Sequence, residues 1–209
     1  MVATIEDLID ELIVVGREAV GMGLVLASGG NLSARLPRGR EFAVTGAGTH
    51  LDKLRHSDFS VMDVDGHLLR GCSQPSSEWK LHQRTYEVRP DVNCVVHVHP
   101  QYAVQLDAMG KQLRFFTLDH AFYVKSVGHT AYFPNGSQEL ADSAAEQTKE
   151  HDCVILAYHG CSTVGDSVEM AFRRALNLEQ AAQATYRALV LGDESSQFPA
   201  EVLASLHHA

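Results

Sequence analysis

The sequence predicts a single domain of mixed α/β type, in which a largely antiparallel sheet is flanked by helices. Three observations lead to this prediction. A long amphipathic segment opens the chain, two short apolar segments rich in β-branched residues lie well inside it, and turn residues closely separate the other extended segments. Strands joined by hairpins as well as by helices favour antiparallel or mixed pairing. We treat residues 1–209 as one domain, because 45% of them are hydrophobic and one core suffices for this length.

The first half of the chain is predicted to contain a helix followed by short strands. Residues 4–22 place apolar side chains at helical spacing, which predicts an amphipathic helix. The extended segments that follow are separated by Gly, Pro and Asp turn residues. We predict strands at 31–36, 41–45, 61–64 and 67–69, with Asp65-Gly66 as the hairpin turn between the last two.

Helices and strands alternate in the second half. Small hydroxyl residues at 75–78 indicate the start of a helix that should run to Val88. The apolar segments 93–98 and 153–158 are predicted to be buried strands, and Asp166 is predicted to cap a long final helix. The remaining predicted elements are helices at 101–109, 137–149 and 167–191 and strands at 115–118 and 130–133.

Composition and charge exclude several classes of protein. The formal net charge is −9, from 26 acidic and 17 basic residues, so no nucleic-acid partner is expected. The first residues lack the basic and apolar regions of a signal peptide, and no apolar stretch reaches the about 20 residues of a membrane span. The four cysteines show no CxxC spacing. These features predict a cytoplasmic protein with reduced thiols and no membrane partner.

Three histidines lie at the ends of the two apolar segments. His97 and His99 stand two residues apart at the end of 93–98, so their side chains share one face of the strand. His159 follows 153–158, and it would join them if the two strands lay side by side. Three imidazoles with one open position are typical of a catalytic zinc site, although the spacing equally fits ordinary surface or core histidines.

Glu78 and His82 lie one turn apart on the predicted second helix. Glu78 either interacts favourably with the helix dipole or is a carboxylate that moves protons beside a metal ion. We interpret His82 as a structural hydrogen-bonding partner rather than a metal ligand.

Small and hydroxylated residues form three further segments that can bind an anion. Backbone N–H groups and hydroxyls can hold a phosphate without positive charge. Any one such segment alone would be an ordinary turn, but three of them beside a metal site predict an anion pocket. The segments are Ser28-Gly29-Gly30-Asn31, Gly46-Ala47-Gly48-Thr49 and Ser76-Ser77.

In this order, the segments resemble the class II aldolase and adducin family, and within it most closely the L-fuculose-1-phosphate aldolases. The resemblance runs from the first helix to about residue 190. Residues 28–33, 44–48 and 75–79 carry it, together with His97-Val98-His99 and His159-Gly160.

The resemblance implies a three-layer fold and a homotetramer with active sites at subunit interfaces. It also implies an aldolase that reversibly cleaves a small ketose 1-phosphate to dihydroxyacetone phosphate and an aldehyde, through a metal-stabilised enediolate. One Zn²⁺ per subunit is assigned to His97, His99 and His159, which also suit Mn²⁺ or Co²⁺. Acid–base catalysis is assigned to Glu78. The implied phosphate-binding positions are Ser28, Asn31, Gly48, Ser76 and Ser77.

The chain departs from the family pattern at three places. Ala47 stands where these aldolases carry Thr, so one phosphate hydroxyl is missing. The catalytic Tyr expected from a neighbouring subunit falls within 115–125, where Tyr123 is the nearest candidate and His120 could equally be the donor. Residues 206–209 lack the second Tyr of the pattern. The group that protonates the aldehyde, and the aldehyde itself, therefore stay open.

Other functions on the same scaffold are alternatives. A ribulose-5-phosphate 4-epimerase usually carries Asp at the position of Glu78, which argues against that activity. A sugar-phosphate dehydratase can keep the Glu, and Ala47 together with the unusual segment 119–123 keeps a metal-dependent decarboxylase in view. A non-catalytic module such as an adducin head would have no need to keep the three histidines.

Overall fold

A computed structural model describes residues 3–199 and 201–203, and its main elements are five α-helices and eight strands. The α-helices are α1 Ile5–Gly21, α2 Trp79–Val88, α3 Gln101–Ala108, α4 Gln138–Thr148 and α5 Val168–Val190. The strands are β1 Asn31–Arg35, β2 Glu41–Thr45, β3 Phe59–Asp63, β4 Leu68–Gly71, β5 Cys94–Val98, β6 Val127–Thr130, β7 Cys153–Leu156 and β8 Gly160–Gly165.

The eight strands form one sheet in the order β4-β3-β2-β1-β5-β8-β7-β6. Each neighbouring pair is antiparallel except β6 and β7, which are parallel. The predicted class, a mixed and largely antiparallel sheet, is confirmed. Along the centre of the sheet, His97 on β5 lies opposite Asn31 on β1 and Ser162 on β8.

Helices cover both faces of this sheet and give three layers. The main core joins α1, α3 and α5 to one face, while α2 and α4 pack on the other. Successive side chains of β5 point to opposite faces of the sheet and so contribute to both cores. Val96 and Val98 belong to the main core, and Val95 belongs to the core under α2. Each large aliphatic side chain buried in this way contributes about 1.5–3 kcal/mol.

The helix starts show how local sequence sets element boundaries. Thr4 caps α1, since its side chain accepts from the Asp7 N–H and the Asp7 carboxylate accepts from the Thr4 N–H in return. For α5 the predicted cap is wrong. Ser167, not Asp166, accepts the N–H of Met170, because its hydroxyl directly precedes the first helical turn.

The sequence prediction also fails in the region before α4 and at β8. Residues 115–118 are not a strand: an irregular segment packs Phe115 on the core and leads into a π-helix at His120–Val124. The strand predicted at 130–133 lies earlier, as β6. The central strand β8 has no predicted counterpart because its small and hydroxylated residues resemble a loop, although all six are buried between β5 and β7. Within the described part of the chain, no helix is long and apolar enough to cross a membrane.

Candidate metal centre and anion pocket

His97, His99 and His159 converge at the end of β5. One nitrogen from each ring lies within 4.8 Å of the others. His97 belongs to β5, and His99 follows this strand directly. His159 arrives by a route that differs from the prediction, since β7 does not lie beside β5. The tight turn between β7 and β8 holds His159, and β8 brings that turn next to β5.

A backbone contact orients the His97 ring. His97 donates its Nδ1–H to the carbonyl of Cys161 at 2.9 Å, which leaves Nε2 directed at the cluster. Gly160, which follows His159, allows β8 to approach Val98 and the His99 ring closely. A Cβ at Gly160 would lie 2.5 Å from the Val98 carbonyl oxygen and 2.7 Å from a carbon of the His99 ring. Only the packed structure reveals why this position requires Gly, because the contacting atoms lie on a neighbouring strand.

Glu78 completes the cluster from the start of α2. Its Oε2 lies 3.1 Å from His97 Nε2 and accepts a hydrogen bond from Asn31 Nδ2 at 2.9 Å. Its Oε1 lies 3.6 Å from His159 Nε2 and, among the described residues, has no hydrogen-bond partner. Burial works to raise the pKa of Glu78, but the charges of His97 and His159 and the Asn31 hydrogen bond hold it well below its ordinary value. The carboxylate is therefore ionised at neutral pH.

The donor set fits a divalent metal ion. Burial, with the charge of His97, lowers the pKa of His99 to about 4 and also lowers the pKa of His159, so both imidazoles are neutral as ligation requires. Burial opposes a charge on His97, yet the Glu78 carboxylate outweighs it and raises the pKa of His97. A positive charge is thus favoured between these two residues, and a divalent ion would supply it. Zn²⁺ is suited to three imidazole nitrogens.

An open cleft adjoins the cluster. Glu78 and His99 line it on the side of the cluster. No Lys or Arg is among the described residues that line it, so N–H groups and hydroxyls are the donors available to an anion. All five residues predicted to bind phosphate line this cleft, namely Ser28, Asn31, Gly48, Ser76 and Ser77.

One residue that lines the cleft lies outside all the segments and site residues that the sequence predicts. Asn135 borders the cleft in the loop before α4. The adjacent Gly136 has φ +72°, and a Cβ there would lie 2.5 Å from the Ser77 carbonyl oxygen, so the loop packs tightly on the serine segment. The turn signal Pro134-Asn135-Gly136 is present in the sequence but indicates only a loop.

His120 and Tyr123 do not line this cleft. They lie in the π-helix, which packs against α5, where the Tyr123 hydroxyl accepts from Arg173 Nη1 at 2.8 Å. His120 is buried, and burial lowers its pKa. The single chain thus does not join them to the metal ligands, and their contribution from a neighbouring subunit stays a prediction. The tail at 206–209 lies outside the described residues.

Comparison with known proteins gives concordant matches. The model of the class II aldolase and adducin N-terminal domain matches residues 10–186. An L-fuculose phosphate aldolase of Methanococcus maripaludis is 34% identical over 78% of this chain and 87% of that protein. A 5-deoxy-D-ribulose 1-phosphate aldolase of Bacillus thuringiensis is 29% identical over 88% of this chain and 86% of that protein. A solved L-fuculose 1-phosphate aldolase structure has a TM-score of 0.87 at 28% identity, covering 100% of this chain and 97% of that chain.

These matches agree with the motifs in the sequence and with the three-layer fold. The family match includes all three histidines, Glu78 and the segments that line the cleft. The relatives are named as aldolases, which are carbon–carbon lyases. The chain therefore belongs to the class II aldolase and adducin family, as one of its enzymes.

Proposed function

We propose that the protein cleaves a small ketose 1-phosphate, of the fuculose 1-phosphate type, to dihydroxyacetone phosphate and an aldehyde. The observation that carries this proposal is the junction of the metal cluster with an uncharged anion pocket. Glu78 and His99 belong to both, so a phosphate in the pocket would hold the adjacent carbons of the substrate beside the cluster.

In this proposal, each part of the site has a distinct task. The serines and the backbone at Gly48 bind the phosphate, which fixes the reacting carbon. Glu78, ionised and buried, takes a proton from that carbon in condensation and returns it in cleavage. Zn²⁺ held by His97, His99 and His159 would supply Lewis-acid stabilisation of the enediolate.

The site that we propose is completed by a second subunit. We expect a homotetramer in which a neighbour brings His120 or Tyr123 to the open side of the cleft to protonate the aldehyde. Two exposed apolar residues around this segment, Leu118 and Phe122, support an interface here. Loss of activity in Tyr123→Phe or His120→Gln, with metal content unchanged, would identify the donor.

The decisive experiment measures release of dihydroxyacetone phosphate from fuculose 1-phosphate, ribulose 1-phosphate and 5-deoxyribulose 1-phosphate. The relative from Bacillus thuringiensis motivates the third substrate. We expect release that stops on chelation and returns with zinc. The variant His99→Ala should lose both zinc and release, whereas His56→Ala, which alters an exposed histidine paired with Asp10 of α1, should keep both.

Metal-loaded protein that releases nothing from any of the three would contradict the proposal. The remaining family activities would then be a dehydratase or a decarboxylase, and the specific observation behind the latter is that Ala47 lines the cleft without a hydroxyl. Binding of phosphoglycolate separates these outcomes, because a decarboxylase needs no phosphate pocket.

A further inference from the structure

A chain of buried polar groups runs from the metal centre into α2. Glu78 accepts from Asn31 Nδ2, and Asn31 Oδ1 is hydrogen-bonded to His82 Nε2. His82 Nδ1 lies 2.7 Å from Ser33 Oγ, which lies 2.7 Å from the Tyr86 hydroxyl. All five side chains are buried, and His82 and Ser33 are 0% exposed. Because these side chains are buried, the donors and acceptors that link them have to pair with one another.

Only one arrangement of hydrogens satisfies these contacts in sequence. The ionised Glu78 can only accept, so Asn31 presents its NH2 group to it. The Asn31 oxygen must then accept from His82, so His82 carries its proton on Nε2. Burial, together with the charge of His97, lowers the pKa of His82 to about 3, so its Nδ1 is free to accept from Ser33.

The Asn31 amide is therefore fixed in one orientation and cannot flip. A turned amide would place its oxygen against the Glu78 carboxylate and its NH2 group against the Nε2–H of His82. With the amide fixed, one hydrogen of the NH2 group binds Glu78. The other is left for the cleft, which Asn31 lines.

We propose that His82 is a positioning residue that orients Asn31, so that one amide group binds the base Glu78 and the phosphate of the substrate at the same time. The proposal deepens the function proposed above and rests on it. Binding of the anion and orientation of Glu78 are then coupled through the side chain of Asn31. Three successive hydrogen bonds connect Asn31 to the Tyr86 hydroxyl.

Two substitutions of His82 separate this role from simple packing. Gln extends its amide nitrogen to about the place of Nε2 and can still donate to Asn31, whereas Asn reaches only the place of Nδ1. We expect His82→Asn to lower both kcat and the affinity for inorganic phosphate about tenfold or more, the range of one hydrogen bond to a charged group. His82→Gln should restore most of both, and zinc content should stay at one per chain in each variant.

A double-mutant cycle tests whether His82 acts through Asn31. In an Asn31→Ala background, His82→Asn should have almost no further effect on phosphate affinity. An equal loss in both backgrounds would overturn the proposal, and so would wild-type affinity in His82→Asn alone. His151→Asn is the matched control, since it makes the same substitution at a histidine whose Nδ1 also pairs with a serine, Ser126, but which does not line the cleft.

Two further measurements keep the role of His82 testable. Should His82→Asn not fold, Ser33→Ala removes the partner that His82 Nδ1 shares with the Tyr86 hydroxyl, and it is expected to weaken phosphate binding in the same direction. Should the wild type release no dihydroxyacetone phosphate, titration with inorganic phosphate still reports on Asn31, because it does not depend on the reaction. Unchanged phosphate affinity in Ser33→Ala as well would refute the role of His82.

Discussion

At the scale of single residues, Glu78 shows how the structure decides between two interpretations of a carboxylate. The residue occupies the cap position of α2, yet its side chain makes no capping hydrogen bond. It turns instead toward His97, His159 and Asn31. A carboxylate that served the helix dipole would stay with the free N–H groups of the first turn. The geometry thus favours the interpretation as a base.

The first prediction concerns the charge of this residue. Glu78→Gln keeps the size and the hydrogen bond to Asn31 but removes the proton acceptor, so turnover should fall by roughly 100-fold or more. Zinc measured by atomic absorption should stay near one per chain, because the three imidazoles remain. Glu18→Gln, on the exposed side of α1, is the control. Full turnover in Glu78→Gln would remove Glu78 from the mechanism.

The second prediction concerns Gly160. An added Cβ would meet the Val98 carbonyl and the rings of His97 and His99, so Gly160→Ala should displace the rings and weaken zinc binding. Strain of this kind costs typically about 1–3 kcal/mol of the free energy of unfolding. Gly21→Ala is the matched control, since a Cβ there meets nothing within 4 Å. Tight zinc binding in Gly160→Ala, measured by competition with a chelator, would show that the cluster tolerates the shift.

Site residues are predictable from the sequence where chemistry and spacing coincide. Two imidazoles at i and i+2 on an apolar strand define a pair in any sheet. The third, His159, joins them in the prediction only if two strands are neighbours, and the sheet realises the contact through a different strand. Asn135 escapes prediction, because an Asn in a Pro-Asn-Gly turn has the same appearance whether or not it borders a cleft.

At the scale of elements, one buried carboxylate connects two helices behind the metal centre. Glu179 of α5 accepts the N–H groups of Tyr102 and Ala103 in the first turn of α3, at 3.1 and 3.0 Å. The helix α3 starts directly after His99 and Pro100, so this contact anchors the segment that leaves the cluster. Burial raises the pKa of Glu179, although these hydrogen bonds partly oppose it.

The third prediction follows from the sign of that shift. The folded-state pKa of Glu179 lies above its ordinary value of 4.5, so the folded protein binds this proton more tightly than the unfolded chain. Its contribution to stability is greatest below that value and declines as the pH rises toward the folded pKa. The Tm of the wild type minus the Tm of Glu179→Gln should therefore decrease from acidic to neutral pH. A constant difference would show that Glu179 does not titrate differently on folding.

Elements are predictable where their sequence pattern is strong and escape prediction where it is weak. The 3.6-residue pattern places α1, α4 and α5 to within about two residues. In contrast, β8 is buried without apolar alternation, because Gly, Ser and Thr fit between two packed strands. The apolar run at 115–118 favours a strand, but its aromatic side chains pack as an irregular segment, and no strand of the described residues lies there.

At the scale of the molecule, strands distant in sequence meet in one sheet. The pairs β1–β5 and β5–β8 join residues 60 or more positions apart, so no local signal could specify the strand order. The class is still predictable, because hairpin turns and long amphipathic helices together restrict the architecture. The homotetramer has no signature in the sequence pattern, where its prediction comes from the family resemblance.

The fourth prediction treats residues 1–209 as the single domain that we propose. Unfolding followed by circular dichroism should show one cooperative transition, since all eight strands belong to one sheet that helices cover on both faces. Zinc at 100 times its Kd should add about 2.7 kcal/mol to the free energy of unfolding, and a chelator should reverse the shift in Tm. The variant His99→Ala should show no such shift. Two separate unfolding transitions would contradict the prediction of a single domain.

The position of β5 between β1 and β8 has a consequence for synthesis of the chain on the ribosome. When His97 and His99 emerge, β1 is already available, but the turn that carries His159 and the strand β8 are not yet made. At roughly 5–20 residues per second, β5 keeps an open edge of unpaired backbone N–H and C=O groups for several seconds. The three histidines come together only when that edge is covered, so the proposed metal ion would bind late, to a nearly complete chain.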